Sequence, residues 1–152
     1  MRLDDALAGV LRLGLDTAPF IYFIESHQHY DRLVADLFQR IAGGHCTGVT
    51  SVITLGEVLV QPLLRGDSRL ITEYHDLLLN SRNLLTLSVD SRVAESAAHF
   101  RARYRIRMPD ALQIAAALGA GCEAFLTNDT ALRRVTELRV LVLDELEPSI
   151  TS

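Results

Sequence analysis

The 152-residue chain contains no lysine and no tryptophan, and it has only two cysteines and four prolines. All fifteen basic residues are arginine, a preference that GC-rich codon usage explains by itself. The chemical consequence is more informative. A P-loop needs a lysine on the nucleotide phosphates, and no GxxxxGK[ST] stretch occurs. Phosphoryl-aspartate chemistry, which also places an aspartate at a strand end, usually needs a lysine partner too.

Cys46 and Cys122 stand far apart without any CxxC, and the five histidines show no HExxH or zinc-type spacing. Both thiols read as small buried residues of a reducing compartment, and His27 and His29 as surface residues. No apolar run approaches the ~18–20 residues that would cross a bilayer. Asp4 and Asp5 stand where a signal peptide needs positive charge. A soluble, cytoplasmic protein with no membrane association is expected. The net charge of −4 argues against gripping long nucleic acid by charge alone, although a local basic patch is compatible with it.

Hydrophobic residues make up 49% of the chain, enough for one sizeable core. The length is that of one domain, expected to span residues 1–152 with a fraying polar tail from about residue 145. Short β-prone runs alternate with helical patterns. Strands are predicted over residues 10–15, 47–51, 84–89, 124–127 and 139–143. Helices are predicted over residues 19–24, 30–41, 53–64, 68–79, from Asp90 as N-cap to Tyr104, over 110–118 behind Pro109, and briefly over 130–135. On the helix over 53–64, Ile53, Glu57, Val60 and Leu64 fall on one face. The alternation predicts an α/β fold: three α/β/α layers around a mostly parallel central sheet of about five strands.

Four acids punctuate this pattern: Asp16 in GLDTAPFIYF, Glu57 in TSVITLGEVLV, Asp110 in RMPDALQIAAAL and Asp129 in FLTNDTALRR. Each has a plain structural use. Asp129 would cap a helix, Asp110 would complement a helix dipole, Asp16 would serve a turn, and Glu57 would pair with an internal arginine. Taken together they map to one predicted sheet edge, the carboxyl ends of the strands, where α/β sheets place their sites. Converging carboxylates repel one another unless some bind protons or a cation intervenes. Oxygen-only ligands favour Mg²⁺ or Mn²⁺ over zinc. Such ions activate water and stabilise a leaving oxygen in phosphodiester hydrolysis, which fits the lack of histidine near the acids. Thr17, Ser51, Thr127 and Asn128 are short polar neighbours suited to holding the ligands. Arg105, Arg107 and Arg133 are candidates for substrate phosphate contacts, beside the plain reading of a solvated helix end. Tyr22, Phe23 and Tyr104 would stack bases or simply pack.

On these residues the chain resembles the PIN domain family, and within it the VapC-type toxins of toxin–antitoxin pairs. The resemblance runs from GLDTAPFIYFIE to LRVLVLDE, and its most specific parts are RMPDALQIAAAL and FLTNDTALRR in that order. It implies that Asp16, Glu57, Asp110 and Asp129 are the metal ligands of a Mg²⁺- or Mn²⁺-dependent endoribonuclease. It also implies an RNA substrate, a homodimer, and a cognate antitoxin docking over residues 19–64. Two other readings stay open: a PIN-like binding module whose acids hold a partner arginine, and a structure-specific DNA nuclease of related architecture.

Overall fold

The computed structural model describes residues 1–149. A short helix α1 (Leu3–Ala6) precedes strand β1 (Arg12–Leu15), followed by α2 (Thr17–Ile24) and α3 (Asp31–Ala42). Strand β2 (Thr47–Ser51) leads through α4 (Val52–Arg65) and α5 (Ser68–Asn80) to β3 (Leu84–Leu87). Helices α6 (Ser91–Tyr104) and α7 (Met108–Gly119) then lead to β4 (Ala124–Thr127). A 3₁₀ turn over Thr130–Arg134 joins β4 to β5 (Arg139–Val142), and a second over Leu143–Glu145 comes after it.

All five strands are parallel, in the order β3-β2-β1-β4-β5. This is the three-layer α/β/α architecture that the alternation predicts. Strand side chains alternate between faces. On one face Leu13, Leu15, Ala124 and Leu126 join Phe20, Leu37, Tyr74 and Leu78 from α2, α3 and α5. On the other, Val49 and Phe125 join Ala97 and Phe100 from α6 and Ile114 of α7. The sheet grows in opposite directions on either side of β1, so β1 and β4 flank the switch point at which such sheets open a crevice. Their register sets Leu15 opposite Leu126, which brings Asp16 and Thr127 side by side at the carboxyl edge. Gly14 makes this possible. A Cβ there would lie 2.7 Å from Ala117 Cβ and 2.8 Å from Phe125 Cδ1, so only glycine lets α7 sit this close to β1.

The predicted caps are in place: Ser51 accepts from Ile53 N at 3.2 Å and Asp90 from Val93 N at 2.9 Å. Four expectations need correction. The first strand begins at Arg12 rather than Val10, because Val10 N closes a turn on Leu7 O. The third strand ends at Leu87 rather than at residue 89. The inward face of α4 carries Thr54, Val58 and Pro62; Val60 and Leu64, read as sharing the face of Glu57, are 51% and 75% exposed, and Glu57 itself is exposed. The tail does not fray as far as Ser149: Glu147 N bonds Met1 O at 2.9 Å, and Ser149 N bonds Asp36 Oδ2 at 3.0 Å. The last three residues of that predicted tail lie outside the described residues.

Candidate active site

Asp16 closes β1 and caps α2. Its Oδ1 accepts from Thr17 N at 2.9 Å and its Oδ2 from the Thr127 hydroxyl at 2.7 Å. Burial pushes its carboxyl above the ordinary range, the two hydrogen bonds oppose the shift, and the charges of Glu57 and Asp129 add to it. Asp110 stands in the first turn of α7 behind Pro109. Burial, followed by the charge of Asp16, pushes its carboxyl up to about 6; Arg107 opposes this, and Asp129 and Glu57 add smaller contributions. Glu57 reaches the site from the second turn of α4, where its Oε1 accepts from Thr17 Oγ1 at 2.8 Å. Asp129 follows β4 and caps the 3₁₀ turn through Ala131 N at 2.9 Å, while its own N–H donates to Thr127 Oγ1 at 3.1 Å.

The four acids therefore lie within electrostatic reach of one another along one edge of the sheet. They remain an open grouping. Among the described residues no three His, Cys, Asp or Glu side chains stand close enough together to hold a metal ion. The donor set, all carboxylate oxygen, suits a hard divalent cation in kind, and beyond burial the charges of Asp16, Asp129 and Glu57 raise the Asp110 carboxyl, the direction a cation there would oppose. The residues fit such an ion by chemistry, with their side chains standing apart.

The supporting residues divide. Thr127 is fully buried and serves both Asp16 and Asp129. Thr17 serves Glu57. Ser51 does not touch the acids; its hydroxyl donates to Gln113 Oε1 at 2.6 Å. Asn128 turns away: its Nδ2 donates to Tyr22 OH at 3.1 Å, and its Oδ1 accepts from Asp144 N at 3.1 Å. Sequence reasoning missed Gln113 and Thr54, which belong to the same buried network, Gln113 Nε2 donating to Thr54 Oγ1. One available signal was a lone amide one turn after Asp110 in an otherwise apolar helix.

A cleft of about 210 Å³ joins Asp110 and Asp129 to Arg105, Arg107 and Arg134. Arg105 ends α6 in the left-handed region (φ 56°), and Arg107 is extended ahead of α7, so the two reach the cleft from a tight corner. Arg133 does not line it; its guanidinium pairs with Glu145. Arg101 is spent on Ile106 O at 2.8 Å, and Arg103 on Glu137 at 3.5 Å. Of the aromatic candidates, Phe23 packs on Phe38 and Tyr104 bonds Glu137, while Tyr22 stacks on Tyr30 with ring centroids 4.6 Å apart. A larger surface cleft of about 360 Å³, lined by Asp36, Gln39, Arg40 and His45, shares no residue with this site.

Three solved structures share the fold at 18% identity. The VapBC2 complex from Rickettsia felis bound to a promoter DNA fragment aligns with a TM-score of 0.68, over 86% of this chain and 98% of its own. A toxin–antitoxin complex from Klebsiella pneumoniae aligns at 0.65 over 87% and 97%. DNA-bound VapBC from Salmonella typhimurium aligns at 0.63 over 88% and 98%. No curated protein sequence matches the chain. The sequence model of the PIN domain matches residues 14–138, a span that holds all four acids and the carboxyl ends of β1 to β4, and the chain belongs to the PIN domain family.

Proposed function

We propose that this protein is a divalent-cation-dependent endoribonuclease, the toxin of a toxin–antitoxin pair, acting in the cytoplasm. The observation that carries the reading is that Asp16, Glu57, Asp110 and Asp129 line one sheet edge at the switch point within charge reach of one another, with the Asp110 carboxyl pushed up to about 6. Asp16, Glu57, Asp110 and Asp129 would hold Mg²⁺ or Mn²⁺. When bound, one or two such ions supply an activated water and stabilise the leaving oxygen of the phosphodiester. Thr127 fixes the rotamer of Asp16, and Thr17 that of Glu57. Arg105, Arg107 and Arg134 line the adjoining cleft, where their planar donors suit substrate phosphates.

A protein partner is supported by surface chemistry. Val60, Leu63 and Leu64 of α4 are more than half exposed. A groove of about 220 Å³ lined by Phe23, Phe38, Ile41, Leu77 and Leu84 is apolar, as an antitoxin helix would require. A homodimer would cover part of the exposed apolar surface. The complexes of similar fold pair toxin with antitoxin, which supports the same assignment here.

The openness of the carboxylates favours a second reading, in which a partner's guanidinium occupies them and the chain does little catalysis. Asp110→Asn decides between the two. The nuclease loses RNA cleavage and saturable Mn²⁺ binding while keeping its fold; undiminished cleavage by a variant free of contaminating nuclease sinks the proposal.

A further inference from the structure

Gln113 is 2% exposed and is the one polar side chain between Ala111 and Leu118 on α7. A buried amide is costly unless its donors and acceptor are matched. Here every one is. Oε1 accepts from the Ser51 hydroxyl at 2.6 Å, and Nε2 faces Thr54 Oγ1 and, at 3.5 Å, Thr17 Oγ1. Thr54 Oγ1 lies 2.8 Å from Thr50 Oγ1, which lies 2.9 Å from Leu15 O.

Proton counting gives this network a direction. A hydroxyl donates once. If Thr50 donates to Leu15 O, Thr54 donates to Thr50 and accepts from the Gln113 amide. Thr17 then accepts from the same amide and keeps its own proton for Glu57 Oε1, at 2.8 Å. The flipped amide would set Gln113 Oε1 against the Thr54 and Thr17 hydroxyls and need the proton of one of them, at the expense of either the Thr54–Thr50 bond or the Thr17–Glu57 bond. Among the described residues, Thr17 is the only hydrogen-bond partner of the Glu57 carboxylate.

The location of these partners carries the inference, which rests on the proposed nuclease site. Thr17 follows Asp16, Thr54 precedes Glu57 by three residues on α4, and Gln113 follows Asp110 by three residues on α7. One amide therefore ties together the beginnings of the three helices that carry three of the four acids. We infer that Gln113 is a positioning residue: through Thr17 and Thr54 it sets where Glu57 stands relative to Asp16 and Asp110, and so whether the open acids are drawn into a cation site. An apolar side chain of the same length would fill the space and leave the acids unregistered.

The test uses Gln113→Met in the full chain, which preserves volume and removes the amide. Mn²⁺ affinity is expected to fall 10–100-fold, the size typical for groups that orient ligands. Turnover on RNA should fall by a similar factor, with KM within twofold because the arginine cleft is untouched. Thr17→Val should reproduce both losses. The double variant should be no worse than either single one, since they break one chain of contacts. Tyr74→Phe, which removes the hydroxyl bond to Glu25 at the far end of α2 from Thr17, should lower stability and leave Mn²⁺ affinity unchanged. If Gln113→Met does not fold, Gln113→Leu, which also removes the amide without adding charge, replaces it with the same expectations. A folded variant that binds Mn²⁺ within twofold of the parent, or losses that add with those of Thr17→Val, overturns the positioning role alone. A parent chain that binds no Mn²⁺ overturns the site assignment on which it rests.

Discussion

The Thr127 hydroxyl, fully buried at the end of β4, donates to Asp16 Oδ2 at 2.7 Å and accepts from Asp129 N at 3.1 Å. One small side chain thus couples the two acids that come after adjacent parallel strands. Thr127→Val keeps the shape and deletes both bonds. It leaves a partly buried carboxylate short of a donor and a backbone N–H short of an acceptor, a loss of about 1–3 kcal/mol. Because this bond is the largest influence lowering the Asp16 carboxyl, its removal should push that carboxyl further up. Urea unfolding and an NMR titration of Asp16 check both effects. A stability change under about 0.5 kcal/mol would show that the hydroxyl is not the link.

The metal-free protein should become more stable as pH falls through the range around 6. An unfolded Asp110 titrates near 3.8, and in the native fold near about 6. Between those values the folded chain holds a proton that the unfolded chain has released, so the native state gains relative stability on acidification. That advantage is complete below about pH 4 and is lost as pH rises through 6. Asp16 shifts in the same direction. Allowing for solvent screening, the Asp110 contribution is at most about 1 kcal/mol between pH 5 and 7.5. Asp110→Asn should flatten the difference and stabilise the metal-free protein at neutral pH. Denaturant midpoints with chelator at the two pH values test this; an identical pH slope in both proteins would refute it. Proton competition should likewise weaken Mn²⁺ binding below pH 6.

Much of this is legible in the sequence alone. The strands at Thr47–Ser51 and Ala124–Thr127 are bounded by residues that can do little else: glycines before them, and Ser51 or Asp129 capping the helical turn after them. The edge location of the acids comes from the same punctuation. The orientation of α4 does not. Ile53, Leu55, Val58, Leu59, Val60 and Leu64 surround that helix with apolar side chains, so periodicity offers no preferred face. The buried stripe is settled by Thr54, whose hydroxyl bonds Gln113 and Thr50. Gln113 is invisible for a related reason: its partners are 59, 62 and 96 residues away, and no local pattern encodes contacts of that range. Asn128 is expected from the sequence to face the acids, yet strand alternation turns Thr127 toward Asp16 and Asn128 toward Tyr22.

Neighbouring arginines on the 3₁₀ turn should behave differently. Arg134 lines the cleft with Asp110 and Asp129 and uses one of its several N–H donors on Tyr104 O at 3.2 Å, whereas Arg133 does not line it and is engaged by the Glu145 carboxylate. Arg134→Gln should raise the KM for RNA severalfold and reduce the salt dependence of binding by roughly 0.7 of a unit, one phosphate contact on a single strand. Arg133→Gln should leave KM within about twofold, since an exposed ion pair contributes little. Arg107→Gln should resemble Arg134→Gln and also push the Asp110 carboxyl higher, because Arg107 holds it down. Steady-state cleavage across a salt series separates the three. An Arg133→Gln effect equal to that of Arg134→Gln would move the phosphate path off the cleft.

Gly14 links the packing of the sheet to the position of the site. Its α-carbon is where α7 approaches β1, and an added methyl would stand 2.7 Å from Ala117 Cβ and 3.4 Å from Ala124 O. Neither neighbour can rotate away, since one is a bare methyl on a helix and the other is backbone. Gly14→Ala must therefore push α7 outward, at a cost of about 1–3 kcal/mol. Asp110 lies two turns before Ala117 on that helix, and Asp16 lies two residues after Gly14, so the displacement separates two of the four acids. Lower stability and weaker Mn²⁺ binding should appear together in this variant. Ala117→Gly in the same chain removes the closest clash and should restore much of the Mn²⁺ affinity, though it gives back only part of the stability because glycine inside a helix costs about 1 kcal/mol. Calorimetry on the single and double variants reads both quantities. Mn²⁺ affinity that ignores Gly14→Ala while stability falls would mean that the seating of α7 does not govern the site.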